Sequence, residues 1–180
     1  MKKIAIITGA SSGMGKELAL QLPEWEQFDE IWLIARRAER LQELAQALPC
    51  PSRPISLDLT DPDALQHFSD MLEMTKPNVG LLANVAGFGK FGATLDVKYE
   101  ENLGMIDLNC KALTALSYLS LPYMKEGGQI YQIDSLSSFQ PVPYICVYGA
   151  TKAFVLSYGR ALNKELRKAR GARCLCVCPF

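Results

Sequence analysis

Tyr148 and Lys152 stand four residues apart in the stretch VYGATKAF. On a helix that interval puts two side chains on one face, about 6 Å apart along the axis at ~1.5 Å of rise per residue. A free phenol titrates near ~10 and exchanges protons poorly at neutral pH. An ammonium ~5 Å away, at an effective dielectric of ~20, favours the phenolate by roughly 3 kcal/mol, which turns the pair into a useful general acid/base. The same spacing also decorates ordinary helix surfaces, so its meaning depends on what the chain places beside it.

A second stretch, TGASSGMG, runs from Thr8 to Gly15 between the apolar run IAIIT and a helical pattern. Gly9, Gly13 and Gly15 allow a tight turn and a close approach to a pyrophosphate, to which the following helix would offer backbone N–H groups and the positive end of its dipole. Ser11, Ser12 and Met14 fill the positions between the glycines. A plain tight turn is the alternative reading.

The elements that must position these groups follow from hydrophobic period. Strands are expected at 3–8, 30–35, 53–58, 79–85, 129–134 and 173–178, and helices at 15–22, 38–48, 62–74, 99–124 and 147–169. Asp61 followed by Pro62 makes a good helix start, and Gly127-Gly128 a stop. The segment 87–102 reads as a loop with a helix start near Asp96. Runs such as IAIIT and VGLLANV are apolar almost throughout, as in strands covered on both faces. Alternating strands and helices with right-handed crossovers give an α/β, doubly wound parallel sheet of Rossmann type in the order 3-2-1-4-5-6. No linker, repeat or low-complexity tract divides residues 1–180, which are expected to form one dinucleotide-binding domain.

The chain has 180 residues, with 19 basic and 19 acidic side chains in balance. No global field therefore favours nucleic acid or an anionic membrane. No apolar run reaches the ~18 residues of a membrane span, so a cytoplasmic protein is expected. Of six cysteines, Cys174, Cys176 and Cys178 alternate in RCLCVCP and should share one strand face as small core residues. A metal site is disfavoured, with His67 the single histidine and expected on a partly exposed helix face.

TGxxxGxG rather than GxGxxG, NVAG at Asn84 to Gly87, Asn109, Ser135 thirteen residues before Tyr148, and YxxxK occur in that order. Together they resemble the short-chain dehydrogenase/reductase family, over nearly the whole chain. The resemblance implies an oxidoreductase that moves a hydride between a nicotinamide and a small-molecule carbonyl or secondary alcohol. Tyr148 would be the general acid/base and Lys152 would favour its phenolate and hold the nicotinamide ribose. Ser135 would hydrogen-bond the substrate oxygen, and Asn109 would support a water-linked proton path to Lys152. Ser137 and Ser138 compete with Ser135, and Asn109 has the alternative of an ordinary polar interruption. The resemblance also places Leu59, Ala86, Gly87 and Pro179 against the cofactor, with Asn84 fixing the end of the fourth strand beside it. A homodimer or homotetramer is implied, with helices around Asn109 and Tyr148 in contact. Gly149 and Gly159 fit such a contact or local packing.

The second strand ends IWLIARRAER. An acidic residue there would accept hydrogen bonds from the adenosine ribose, whereas arginine attracts a 2′-phosphate. Ala35 stands where the acidic residue would be and Arg36 follows, which points to NADP over NAD. Arg37 either assists or faces solvent, and the glycine-rich loop carries no basic residue of its own. Asp58 either contacts the adenine amino group or makes a local turn. Phe88, Phe91, Phe139, Pro141, Val142 and Tyr144 are expected near the active-site loops and favour an apolar substrate pocket.

The sequence given departs from the family pattern at VCPF, where Phe180 occupies the position of a glycine. The expectation is a sheet without the family's C-terminal helix and seventh strand, its sixth strand an open edge. A non-catalytic NADP-binding module or sensor is the competing reading.

Overall fold

The computed structural model describes residues 1–179. Phe180, and the expectation attached to it, lie outside them. Six parallel strands form one sheet in the order β3-β2-β1-β4-β5-β6, as expected. In chain order they are β1 (Lys3–Thr8), β2 (Glu30–Ala35), β3 (Ser52–Ser56), β4 (Asn78–Asn84), β5 (Gln129–Ile133) and β6 (Arg173–Val177). The helices are α1 (Gly13–Trp25), α2 (Ala38–Ala47), α3 (Pro62–Thr75), α4 (Tyr99–Ile106), α5 (Leu113–Ser120) and α6 (Cys146–Ala169).

Strand alternation divides the core in two. Ile4, Ile6, Trp32, Ile34 and Leu82 point to one face, where they meet Phe68, Leu72, Leu116 and Leu162 of α3, α5 and α6. Ala5, Ile7, Ile31, Leu33 and Ala83 point to the other, against Leu22, Leu41 and Leu44 of α1 and α2. Because both faces are covered, β1 and β2 are apolar at nearly every position. Pro54 is tolerated because β3 is an edge strand.

Three boundaries differ from the sequence expectation for physical reasons. Helix α1 runs past Leu22 to Trp25, through Pro23. Proline sacrifices its own hydrogen bond, but the last turn still closes through the Glu26 N–H to the Leu22 carbonyl, 3.1 Å. The long helix expected at 99–124 is broken instead: α4 passes into a π-helical segment, Asp107–Ala112, then α5, then a 3-10 turn at Leu121–Tyr123 containing Pro122. The preceding loop turns at Ala93–Val97 and α4 begins at Tyr99, not near Asp96.

Cys174 and Cys176 face Gly159 of α6, whereas Cys178, past the end of β6, meets Asp134 Oδ2, and only Cys174 is fully buried. β6 is a sheet edge, so the residues toward its end are covered on one side only. His67 is exposed on α3. Gly159 packs within its own chain: a Cβ there would overlap the Cys176 Sγ, so bare backbone lets α6 lie on β6. A Cβ on Gly149 would stand 3.6 Å from the Ser137 carbonyl oxygen, an ordinary contact, so local packing demands glycine at 159 and not at 149.

Candidate functional site

A cleft of about 660 Å³ opens at the carboxyl ends of β1, β2 and β4. It lies where the strand order reverses between β1 and β4, the place where open α/β sheets bind ligands. Its floor and walls include Gly9, Ser11, Ser12, Gly13, Met14 and Gly15 from the first turn and Arg36, Arg37, Asp58 and Leu59 from the ends of β2 and β3. Ala86 and Gly87 line the far side, with Phe88, which the sequence placed near the active-site loops, and Leu108, which it did not single out.

The first turn is built for close approach. Gly9 has φ +67°, and a Cβ there would stand 3.0 Å from the Ala86 backbone. A Cβ on Gly15 would meet the Gly9 carbonyl at 2.5 Å, so α1 can start only on bare backbone. Thr8 ties the turn to the end of β4: its Oγ1 accepts from the N–H groups of Val85 and Ala86, both at 3.0 Å.

Arg37 lies across the glycine-rich loop. Its Nη2 donates to Ser11 Oγ at 2.8 Å and to Ser12 Oγ, 2.6 Å away, and its Nε donates to Ser11 Oγ at 3.1 Å. A loop without a basic residue of its own thereby acquires a guanidinium from the neighbouring strand. Arg36 extends into solvent and reaches Asp58 Oδ2 at 3.9 Å. Asp58 also makes a local turn, accepting from Thr60 N at 3.1 Å and Thr60 Oγ1 at 2.7 Å. Partial burial raises its carboxyl, but the Thr60 hydrogen bonds and Arg36 outweigh that and hold it below the ordinary aspartate value.

Behind Gly87 of the cleft wall lies the second group of residues. Lys152 is 6% exposed, its Nζ donating to the Ile133 carbonyl at the end of β5, 2.7 Å away, and standing 5.6 Å from the Tyr148 ring centroid. Burial pushes the lysine below its ordinary value, with Asp134, Cys110 and Cys178 acting in the opposite sense. Gly89 allows the preceding loop to lie on Tyr148, since a Cβ there would stand 2.7 Å from the ring. Ser135 begins a 3-10 turn, Leu136–Ser138, and its Oγ accepts from Ser137 N at 3.2 Å. Its own O–H remains free to donate.

Asn109 sits in the π-helical segment, 1% exposed. Its Oδ1 accepts from Phe88 N at 3.1 Å, and its Nδ2 donates to the Phe88 carbonyl at 2.9 Å and to Thr151 Oγ1 at 3.0 Å. The side-chain amide therefore pins the loop after β4 to α6. Thr151 donates in turn to the Tyr148 carbonyl at 2.7 Å. Gly87 separates the two halves: a Cβ there would lie 3.0 Å from Asn109 Oδ1 and 3.8 Å from Lys152 Nζ. Ser135, Tyr148, Lys152 and Pro179 do not line the cleft itself. Asn84 lies beneath it, 3% exposed, donating to Ser117 Oγ at 3.1 Å and Gln132 Oε1 at 3.0 Å.

On the loop after β4 and the segment between β5 and α6, Phe91, Leu95, Leu136, Phe139 and Tyr144 are all exposed. Tyr144 adopts φ +66°, and its carbonyl accepts from Gly92 N at 2.9 Å, which joins the loop after β4 to the loop before α6.

The profile of the short chain dehydrogenase family matches residues 3–180. An uncharacterized oxidoreductase of Staphylococcus epidermidis is 34% identical over 172 residues, spanning 93% of this chain and 73% of that protein. Among solved structures, a short-chain dehydrogenase from Sphingobium yanoikuyae in complex with NADPH superposes with a TM-score of 0.87 at 31% identity, over 98% of this chain and 70% of that one. The bulky-bulky ketone specific alcohol dehydrogenase from Comamonas testosteroni gives 0.86 at 30% identity, over 98% and 72%.

Proposed function

The chain belongs to the short-chain dehydrogenase family, and on that premise we propose that it is an NADP-dependent oxidoreductase interconverting a carbonyl and a secondary alcohol, with Tyr148 as general acid/base. The observation that carries this reading is the buried Lys152 ammonium beside the Tyr148 ring, next to a cleft lined by a glycine-rich turn and a helix N-terminus.

The residues present fit a dinucleotide. The cleft lies within the ~300–1,000 Å³ range of small-molecule sites, and a Cβ at Gly9 or Gly15 would fill the cradle in which backbone must approach the phosphates. Ser11, Ser12, Gly13 and Met14 would hold the pyrophosphate. Arg36 and Arg37 would take a 2′-phosphate, and Asp58, Leu59, Ala86 and Gly87 would flank the adenosine. Lys152 would hold the nicotinamide ribose. When bound, the reduced cofactor supplies the hydride.

In reduction, a hydride added to the carbonyl carbon leaves the oxygen gaining negative charge. Tyr148 transfers its phenolic proton to that oxygen, and the product alcohol carries both hydrogens. The free O–H of Ser135 donates to the same oxygen and stabilises the developing charge. Lys152 favours the phenolate left behind. Asn109 supports these groups by fixing the 87–89 loop over Tyr148 and Lys152. The exposed apolar residues of the loops before α4 and α6 favour neutral, bulky ketones, a reading the Comamonas neighbour supports. Exposed Leu103, Ile106, Tyr118 and Phe154 on α4, α5 and α6 favour a homodimer or homotetramer, measurable by light scattering.

The test is to follow NADPH absorbance with a panel of ketones and aldehydes, with Tyr148→Phe as control. Turnover that the variant loses while still binding NADPH supports the enzyme. NADPH binding by both proteins with turnover by neither would establish a non-catalytic nucleotide-binding module instead.

A further inference from the structure

Asp134 follows the carbonyl that receives Lys152 and precedes Ser135, yet the chemistry above gives it no part. It is 1% exposed. Its Oδ2 accepts from the Cys178 thiol at 3.4 Å, while Oδ1 is buried without a hydrogen-bond partner among the described residues. Its N–H donates to the Val177 carbonyl at 2.7 Å, so the backbone fixes where the side chain starts. Burial raises its carboxyl above the ordinary aspartate value, with the Ser135 amide, the Cys178 thiol, the Ser138 hydroxyl and the Lys152 charge acting in the opposite sense. A buried carboxylate with an empty lone-pair site is expensive unless a charge offsets it.

The charge that offsets it is Lys152. The two make no contact-range ion pair, but each acts on the other through the low-dielectric interior between β5 and α6. The other titratable groups facing Lys152 are Tyr148 on its own helix, Cys110 from the π-helical segment and Cys178 beyond β6. Among the described residues Asp134 is the one carboxylate in this group. Burial alone drives an ammonium toward the neutral amine, and a neutral amine would no longer favour a phenolate.

We propose, resting on the function given above, that Asp134 is a positioning residue for proton transfer, its carboxylate holding Lys152 in the ammonium form beside Tyr148. The Cys178 thiol keeps the carboxylate in place by donating to Oδ2. The Lys152 charge in turn favours the Asp134 carboxylate over its neutral form. Neither residue contacts substrate; Asp134 acts through Lys152 alone.

The experiment compares wild type with Asp134→Asn, which keeps the shape and removes the charge. Asp134→Ser serves as a second neutral variant should the first fold poorly. Two readouts are taken: the titration of Lys152 followed by carbon NMR of labelled lysine side chains, and the pH profile of kcat/KM. The expected result is a lower Lys152 midpoint in the variant and an alkaline limb displaced to lower pH, so that the ratio of alkaline to neutral activity falls several-fold. An unchanged midpoint overturns the proposal, as does a uniform loss of activity with the profile in place. If wild type turns over no carbonyl, the catalytic reading has failed, and the lysine midpoint still decides whether Asp134 controls the charge.

Discussion

Tyr148 carries the proton in the proposed reaction, so Tyr148→Phe should lower kcat by roughly 10²–10⁴-fold while NADPH affinity holds; equal kcat in both proteins would remove the phenol from the chemistry. Arg37 gives a sharper test of cofactor choice. Its guanidinium already rests on Ser11 and Ser12, where a 2′-phosphate would find a charge-assisted donor. Arg37→Ala should weaken NADPH binding about tenfold or more and leave NADH unchanged, measured by fluorescence titration. Equal losses for both would assign Arg37 to loop structure alone. The thiols make a separate statement about the interior. Burial pushes Cys174 up to about 12, and burial together with the Asp134 carboxylate pushes Cys178 up to about 11. Alkylation near pH ~8 should therefore label exposed Cys146 long before either, because the thiolate is the reactive form. Early labelling of Cys178 by mass spectrometry would contradict its contact with Asp134.

Elements were legible in the sequence where one physical signal dominated. The apolar runs of β1 and β2 end where the polarity changes, and both strands fall on the residues expected, 3–8 and 30–35. The π-helical segment was not legible, because LGMIDLNCKAL keeps an ordinary helical pattern straight through it. Widened turns of this kind collect at functional sites, and here the segment carries the buried Asn109 amide between the 87–89 loop and Thr151. Arg37 was half legible: its charge is plain in the sequence, but its reach to Ser11 depends on β1 lying beside β2. Asp134 read only as the end of a strand, since nothing local shows what closes over it. Helix α6 offers a test of element packing. Gly159→Ala gains up to ~1 kcal/mol of helix propensity but forces a methyl against Cys176 Sγ, an overpacking cost of roughly 1–3 kcal/mol. The urea midpoint should fall in wild type and rise in a Cys176→Ala background, where the sulfur is gone. A rise in both would mean that α6 does not press on β6 at this point.

At the scale of the whole molecule, the buried lysine beside Tyr148 gives stability a pH signature. Burial holds Lys152 below the ordinary lysine value of 10.5 despite the opposing charge of Asp134. Between its folded and unfolded values the unfolded chain binds more protons, so stability rises with pH through that window and is lost again as pH falls through the folded value. Lys152→Met keeps the length of the side chain and removes the buried charge, so its stability should lack this rise. The variant forfeits the hydrogen bond to the Ile133 carbonyl, an offset that does not vary with pH and leaves the slope as the diagnostic quantity. Urea unfolding at a series of alkaline pH values should show wild type gaining on the variant as pH approaches 10.5, while the variant has no oxidoreductase activity at any of them. Parallel curves would mean that Lys152 is solvated rather than enclosed between α6 and β5. The proton chemistry beside the cleft would then lose its source of charge, because an ammonium in water is too well screened to bias a phenol.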